Sequence, residues 1–213
     1  MAVVWDGPGF VGLIQALYEA MQAARGELNA LDSALGDGDH GEALAAAFAD
    51  AAEKAANLSE PTPATVLQVT SQSLLNRMGG ASGALYGTLF LRMSLAVKDR
   101  PEVALEDWRS ALSAGLAGVQ ARGKASPGDK TMVDALAPAV AAFVNTSDLG
   151  AVFAAAANAA ENGASATAGM VAKFGRAKFA GERAIGHVDA GARSVAILFV
   201  TLHEFWEGQH GEG

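Results

Sequence analysis

The chain contains no cysteine among its 213 residues, which removes disulfide frameworks, zinc-thiolate sites and thiol nucleophiles at once. Aromatic residues are scarce, at 7%, so the core must be built mainly from aliphatic and small side chains. Positive charge is in deficit: 15 Lys and Arg stand against 23 Asp and Glu, for a formal net charge of -8. With no basic cluster to interrupt that balance, a nucleic-acid or anionic-membrane surface is not expected. Long apolar runs are missing too. The longest, VAILFVTL, falls far short of the roughly 20 residues a spanning helix needs. The opening MAVVWDGPGF has neither the positive start nor the apolar stretch of a secretory signal. These absences point to a cytoplasmic protein, with a chain long enough to bury a core as one domain over residues 1–213.

What is abundant is alanine, in stretches such as LAAAFADAAEKAA and AVFAAAANAAENGASA, a composition that favours helices packed at short range. In FVGLIQALYEAMQAARG, Leu13, Leu17 and Met21 form a row at four-residue spacing, flanked by Val11, Ile14 and Tyr18, and Gly26 is placed to stop the helix. Similar stretches follow at about 41–58, 62–76, 80–97, 102–122, 129–146 and 148–173. The last, from Asp189 to about Trp206, puts Val195, Leu198, Leu202 and Phe205 on one side. The expectation is an all-α fold of eight helices without strands, whose short connections make sequential neighbours antiparallel. One connection differs. Residues 174–188, FGRAKFAGERAIGHV, carry three glycines, Lys178, Arg176 and Arg183, and read either as an ordered lid or as a solvated loop.

Chemistry concentrates in the glycine-rich turns. LDSALGDGDHGEAL sets Asp32, Asp37 and Asp39 within eight positions and offers no Lys or Arg beside them. Three such carboxylates repel unless a cation sits between them. Their hard oxygens suit Mg²⁺, Mn²⁺ or Ca²⁺, and Gly36, Gly38 and Gly41 allow a tight turn. An EF-hand is excluded, because counting from Asp37 puts Glu42 where glycine is required and Phe48 where glutamate is required. An open carboxylate set is more typical of Mg²⁺, which takes the rest of its shell from water and substrate phosphates; the alternative is a solvated acidic turn with Asp39 as a helix cap. In NRMGGASGALYG, residues 79–83 open a helix with small side chains, which suits either a phosphate cradle or a close helix–helix contact. ARGKASPGDKTMVDAL reads as largely structural: a Pro127–Gly128 turn, Asp129 as cap, and Met132 and Leu136 facing inward. In HVDAGARS, Asp189 is placed to cap the last helix. His40 and His187 are the histidines nearest these turns.

Taken in order, LDSALGDGDHG, GGASGALYG, GKASPGDKTMVDAL and GRAKFAGERAIGHVDAGA resemble the L subunit of dihydroxyacetone kinase, over nearly the whole chain. The resemblance implies a barrel of eight antiparallel helices with the nucleotide at one end. It implies that Asp32, Asp37 and Asp39 hold two Mg²⁺ ions on the phosphates of ADP or ATP. His40 and Gly41 would lie beside the nucleotide, Ala81 and Ser82 would contact phosphate, and Gly123 and Met132 would border the adenine. Arg176, with the turn at Asp189, Ala190 and Gly191, would belong to a lid, Arg176 stabilising charge during transfer. The ketose would be held by a separate K subunit. A free-standing chain with His40 where ATP-dependent fused enzymes usually have cysteine resembles the branch in which a phosphocarrier M subunit rephosphorylates bound ADP. The alternatives are an ATP-dependent kinase for another ketose such as erythrulose, and a nucleotide-bound module acting on a transcription regulator. A metal-dependent phosphohydrolase would lack a general base. Lys178, Ala190 and Ala84 replace residues common in the family, Ser, Pro and Pro, so the lid hinge is expected to be looser.

Overall fold

The computed structural model describes residues 5–144 and 148–210. Among them are eight α-helices: α1 (Gly7–Leu35), α2 (His40–Ala56), α3 (Pro63–Arg77), α4 (Gly80–Ala96), α5 (Leu105–Gly123), α6 (Val133–Ala141), α7 (Leu149–Ala166) and α8 (Ala190–His210). The described residues fall into two compact units, one within Met1–Glu19 and Ala43–Gly123, the other within Ala20–Glu42 and Lys124–Gly213. No described helix is long and apolar enough to cross a membrane.

The all-α expectation holds, with boundaries shifted for identifiable reasons. Gly26 does not stop α1, which continues to Leu35. An exposed mid-helix glycine costs about 1 kcal/mol, whereas Leu28 beyond it is fully buried and stabilises by roughly 1.5–3 kcal/mol. Glu102–Val103 is not the start of α5 but a short strand, β2, paired antiparallel with β1 (Trp5–Asp6) in the register Trp5 to Val103. The stretch expected to be helical from 129 begins only at Val133, because Lys130 has φ 58° and breaks the helical path. It ends at Ala141, followed by a 3-10 turn over Ala142–Val144; positions 145 and 146 of that expected helix lie outside the described residues. α7 stops at Ala166, seven residues earlier than expected, in a 3-10 turn whose cap Met170 is extended.

In the first unit α4 packs against both α3 and α5, and close approach requires small residues. A Cβ on Gly87 would lie 2.3 Å from Leu75 Cγ, and one on Gly115 would lie 2.6 Å from Leu89 Cδ1. Trp5, Phe10 and Trp108 form an aromatic cluster, with Phe10 and Trp108 stacked at 5.2 Å. Asp50 on α2 accepts from Ser73 Oγ at 2.6 Å and from Arg77 Nη2 at 2.7 Å, and pairs with Lys54. The Lys54 hydrogen bond, then that of Ser73, holds the Asp50 carboxyl well below the usual carboxylate range.

In the second unit α7 packs against α6 and α8, and Phe143, Phe153 and Trp206 meet edge to face. The α6–α7 approach depends on Gly163, where a Cβ would fall 2.2 Å from the backbone oxygen of Asp134. Two Gly→Ala changes therefore diverge. At exposed Gly26 a Cβ meets nothing within 4 Å, so Gly26→Ala should stabilise by about 0.5–1 kcal/mol. Gly163→Ala gains the same propensity but must push α6 and α7 apart, and should destabilise by roughly 1–3 kcal/mol. Urea unfolding of the two variants checks both signs.

Candidate functional site

The acidic turn is folded by its own first carboxylate. Asp32 sits in the last turn of α1, and its Oδ2 accepts the backbone N–H of Gly38 at 2.8 Å and of Asp39 at 3.1 Å. Gly36 N–H donates to Asp32 O at 2.5 Å, closing the helix end. Gly38 has φ +80°, and a Cβ there would come within 2.3 Å of Ser33 Oγ, so this position demands glycine twice over. The chain then enters α2 at His40. Gly41 lets the start of α2 pass close against α1: a Cβ would sit 2.2 Å from Arg25 O, and Glu42 N–H donates to Asn29 Oδ1 at 3.0 Å.

This turn brings Asp32, Asp37 and Asp39 together, with one ligand oxygen from each lying within 4.8 Å of the others. Asp37 and Asp39 are exposed and Asp32 is half-buried. No cation is available nearby in sequence, yet one is supplied from the far end of the chain: Arg176 Nη1 pairs with Asp37 Oδ2. The expectation of uncompensated carboxylates is thus corrected at Asp37.

His40, next to Asp39, is buried, and its Nε2 lies 2.9 Å from Ser194 Oγ. Ser194 Oγ donates to Gly191 O at 3.0 Å, so its lone pair accepts from His40 Nε2–H. Burial lowers the His40 pKa, and the charges of Asp32 and Asp39 offset some of that shift. His40 is therefore linked through Ser194 to the Asp189–Gly191 turn. There Asp189 Oδ2 accepts from Ala192 N–H at 2.8 Å, capping α8 as expected. Met132 is buried in the same place, and a Cβ on Gly191 would come 3.5 Å from Met132 Cβ. Ala190 is the first residue of α8.

Residues 174–188 form 3-10 turns over Arg176–Ala184, with Gly175, Gly181 and Gly186 all at positive φ. This segment is attached to the preceding loop by contacts that the sequence did not reveal. Asp129 is not a helix cap: its Oδ2 accepts from Ser126 N–H at 2.8 Å and its Oδ1 from Lys173 Nζ at 2.7 Å. The Lys173 bond, then that of Ser126, lowers the Asp129 pKa. Asp134 instead closes the turn before α6, accepting from Gly128 N–H at 2.5 Å and Thr131 N–H at 2.7 Å. Lys130 is 1% exposed, and nothing in PGDKT distinguishes it from a surface lysine. Of the remaining site candidates, Ala81 and Ser82 lie in the first turn of α4 and Gly123 ends α5 against Leu85, all within the first unit.

Burial pushes the Asp189 carboxyl up to about 6, while the Ala192 hydrogen bond and the Lys130 charge oppose that shift. Between its unfolded pKa of about 3.9 and its folded value, the folded state binds the extra proton, so the Asp189 contribution to stability falls as pH rises. The stability difference between wild type and Asp189→Asn should therefore shrink by about 1–3 kcal/mol from pH 4 to pH 6.5 and then level off. Denaturant titrations of both proteins across that range check it; a flat difference would mean that Asp189 ionises normally.

Comparison with known proteins places this geometry in a family. The DAK2 domain family model matches residues 34–204. The ADP-binding subunit DhaL of PEP-dependent dihydroxyacetone kinase 2 from Listeria innocua is 38% identical over 207 residues, covering 95% of this chain and 96% of the relative. The corresponding DhaL subunit from Escherichia coli is 38% identical over 179 residues, covering 82% of this chain and 85% of the relative. Among solved structures, the dihydroxyacetone kinase of C. freundii in complex with AMP-PNP and Mg²⁺ matches with a TM-score of 0.73 at 28% identity. That match covers 96% of this chain and 35% of the larger enzyme, so the chain spans about a third of its length. The resemblance carried by the four motifs is borne out: the chain belongs to the DAK2 domain family.

Proposed function

We propose that this chain is the ADP-binding subunit of a PEP-dependent dihydroxyacetone kinase, with residues 1–213 acting as one nucleotide-binding domain. The observation that carries the reading is the clustering of Asp32, Asp37 and Asp39 oxygens within 4.8 Å. This donor set fits Mg²⁺: hard, anionic and few, leaving positions for water and phosphate oxygens. Two ions on a diphosphate would balance the three carboxylates better than one. Bound Mg²⁺ supplies neutralisation of charge on the transferring phosphoryl group.

The chain's own residues then have defined tasks. Asp32 folds the turn, through Gly38 and Asp39 N–H, and with Asp37 and Asp39 would hold the cations. His40 holds the acidic turn against the Asp189–Gly191 turn through Ser194, and with Gly41 flanks the nucleotide. Met132 borders the base, and the turn at Asp189, Ala190 and Gly191 belongs to the lid. Arg176 sits on Asp37, and its planar fork can transfer from that carboxylate to phosphate oxygens when they arrive. Contacts from Ala81, Ser82 and Gly123 belong to the same proposal and rest on the family resemblance alone. No nucleophile is needed from this chain, because the acceptor hydroxyl belongs to a ketose held by a K subunit, and an M phosphocarrier recharges the bound ADP. The setting is the cytoplasm. Action on a transcription regulator and ATP-dependent phosphorylation of another ketose such as erythrulose are the alternatives.

Two variants test it. Asp37→Asn should weaken ADP binding in the presence of Mg²⁺ by at least the ~100-fold that loss of an outer-shell metal partner alone can cost, without unfolding; calorimetry that finds unchanged affinity contradicts the metal assignment. Arg176→Lys keeps the charge but loses the fork. It should slow phosphoryl transfer by up to ~100-fold while changing ADP affinity far less. Transfer measured with a K subunit, its ketose and a phosphate donor at wild-type rate would remove Arg176 from the chemistry.

A further inference from the structure

Segment 168–187 leaves the body of the second unit and returns to it at one narrow neck. Four contacts close that neck. Gly186 N–H donates to Ala168 O at 2.7 Å, and Asp189 N–H donates to Thr167 Oγ1 at 2.9 Å. The other two come from one side chain: Lys130 Nζ donates to Thr167 O at 2.5 Å and also to His187 O. One ammonium thus ties the residue before the segment to its last residue. The preceding residue, Asp129, holds the interior of the segment, accepting from Lys173 N–H at 3.2 Å with its backbone oxygen and from Lys173 Nζ at 2.7 Å with its carboxylate.

Both features of Lys130 are costly unless something requires them. A lysine that is 1% exposed must be desolvated, and a non-glycine residue at φ 58° is strained. A surface turn between Pro127–Gly128 and α6 has no need of either. Both follow if the backbone must turn so that the ammonium points inward at two carbonyls from opposite ends of the segment, that of His187 and that of Thr167, which also accepts from Met170 N–H at 3.1 Å. Burial lowers the Lys130 pKa, and the charges of Asp189 and Asp134 oppose that shift.

We infer that the dipeptide Asp129–Lys130 is the anchor of the segment carrying Arg176, gripping it at Thr167, Lys173 and His187, and that these are positioning residues which set the presentation of Arg176 to Asp37 without meeting the ligand. This inference rests on the reading of 174–188 as a lid over a bound nucleotide, and its test separates the two.

Trypsin reads the segment directly, because Arg176, Lys178 and Arg183 are cleavage sites within it. In the ligand-free full-length protein, well below its melting temperature, cleavage there follows the population of the open segment. Lys130→Met keeps the stem and removes the donor, and should raise cleavage at these sites by ~tenfold or more. Lys173→Met removes only a partly exposed ion pair and should raise it roughly two- to fivefold. Release of ADP in the presence of Mg²⁺, followed by stopped flow, should accelerate in the same order. A lysine with a purely structural role would lower the melting temperature and leave cleavage well below it unchanged; that result in Lys130→Met overturns the inference. If Lys130→Met does not fold, wild-type cleavage rates in Lys173→Met overturn it instead. Faster cleavage with unaltered ADP release supports the anchor and contradicts the nucleotide-lid reading.

Discussion

Carboxylate oxygens of Asp32, Asp37 and Asp39 that approach within 4.8 Å of one another repel, and the chain holds them there chiefly with backbone N–H groups. Asp32 Oδ2 accepts two of these from the turn that carries its neighbours, so the residue that adds to the repulsion also enforces the geometry. The rest of the second unit is arranged around that conflict. A glycine at positive φ makes the turn possible, a buried histidine ties it to the cap of α8, and an arginine from a distant segment neutralises one of the charges.

That arginine must be delivered by a segment with little core of its own. Phe179 is 78% exposed and Ile185 is 50% exposed, and only the small side chain of Ala184 is buried, so hydrophobic burial holds residues 174–188 only weakly. Polar contacts hold them as well, at Thr167, Ala168, Lys173 and His187. Such contacts are individually modest and reversible, as the proposed role of a lid would require. Helices α6 and α7 of the same unit are held differently, by close approach at Gly163, where a Cβ would fall 2.2 Å from Asp134 O.

The eight helices were legible because apolar residues recur at helical spacing and the turns are marked by Gly, Pro and Asp. Boundaries failed where a long-range contact outweighed a local signal. Gly26 looks like a stop, but burial of Leu28 carries α1 through it; residues 102 and 103 look helical, but pairing with Trp5 and Asp6 takes them into a strand. The acidic cluster was legible because its three members share one turn. Its partner Arg176 was legible only through family resemblance, since nothing local links it to Asp37. Asp129 was misread as a helix cap and Lys130 carried no signal: PGDK has the composition of a solvated turn, and only the fold shows the lysine inside and the aspartate bound to Lys173.

The central claim is that cation and nucleotide occupy the acidic turn together, each supplying charge that the other needs. Thermal unfolding with Mg²⁺, with ADP, and with both tests this most directly. A ligand at about 100 times its Kd stabilises the folded state by roughly 2.7 kcal/mol, which for a chain of this size raises the melting temperature by about 5–10 °C. The account predicts that shift for ADP with Mg²⁺ and much smaller shifts for either alone. An equal shift with Mg²⁺ alone would show a structural ion independent of nucleotide, and would contradict it.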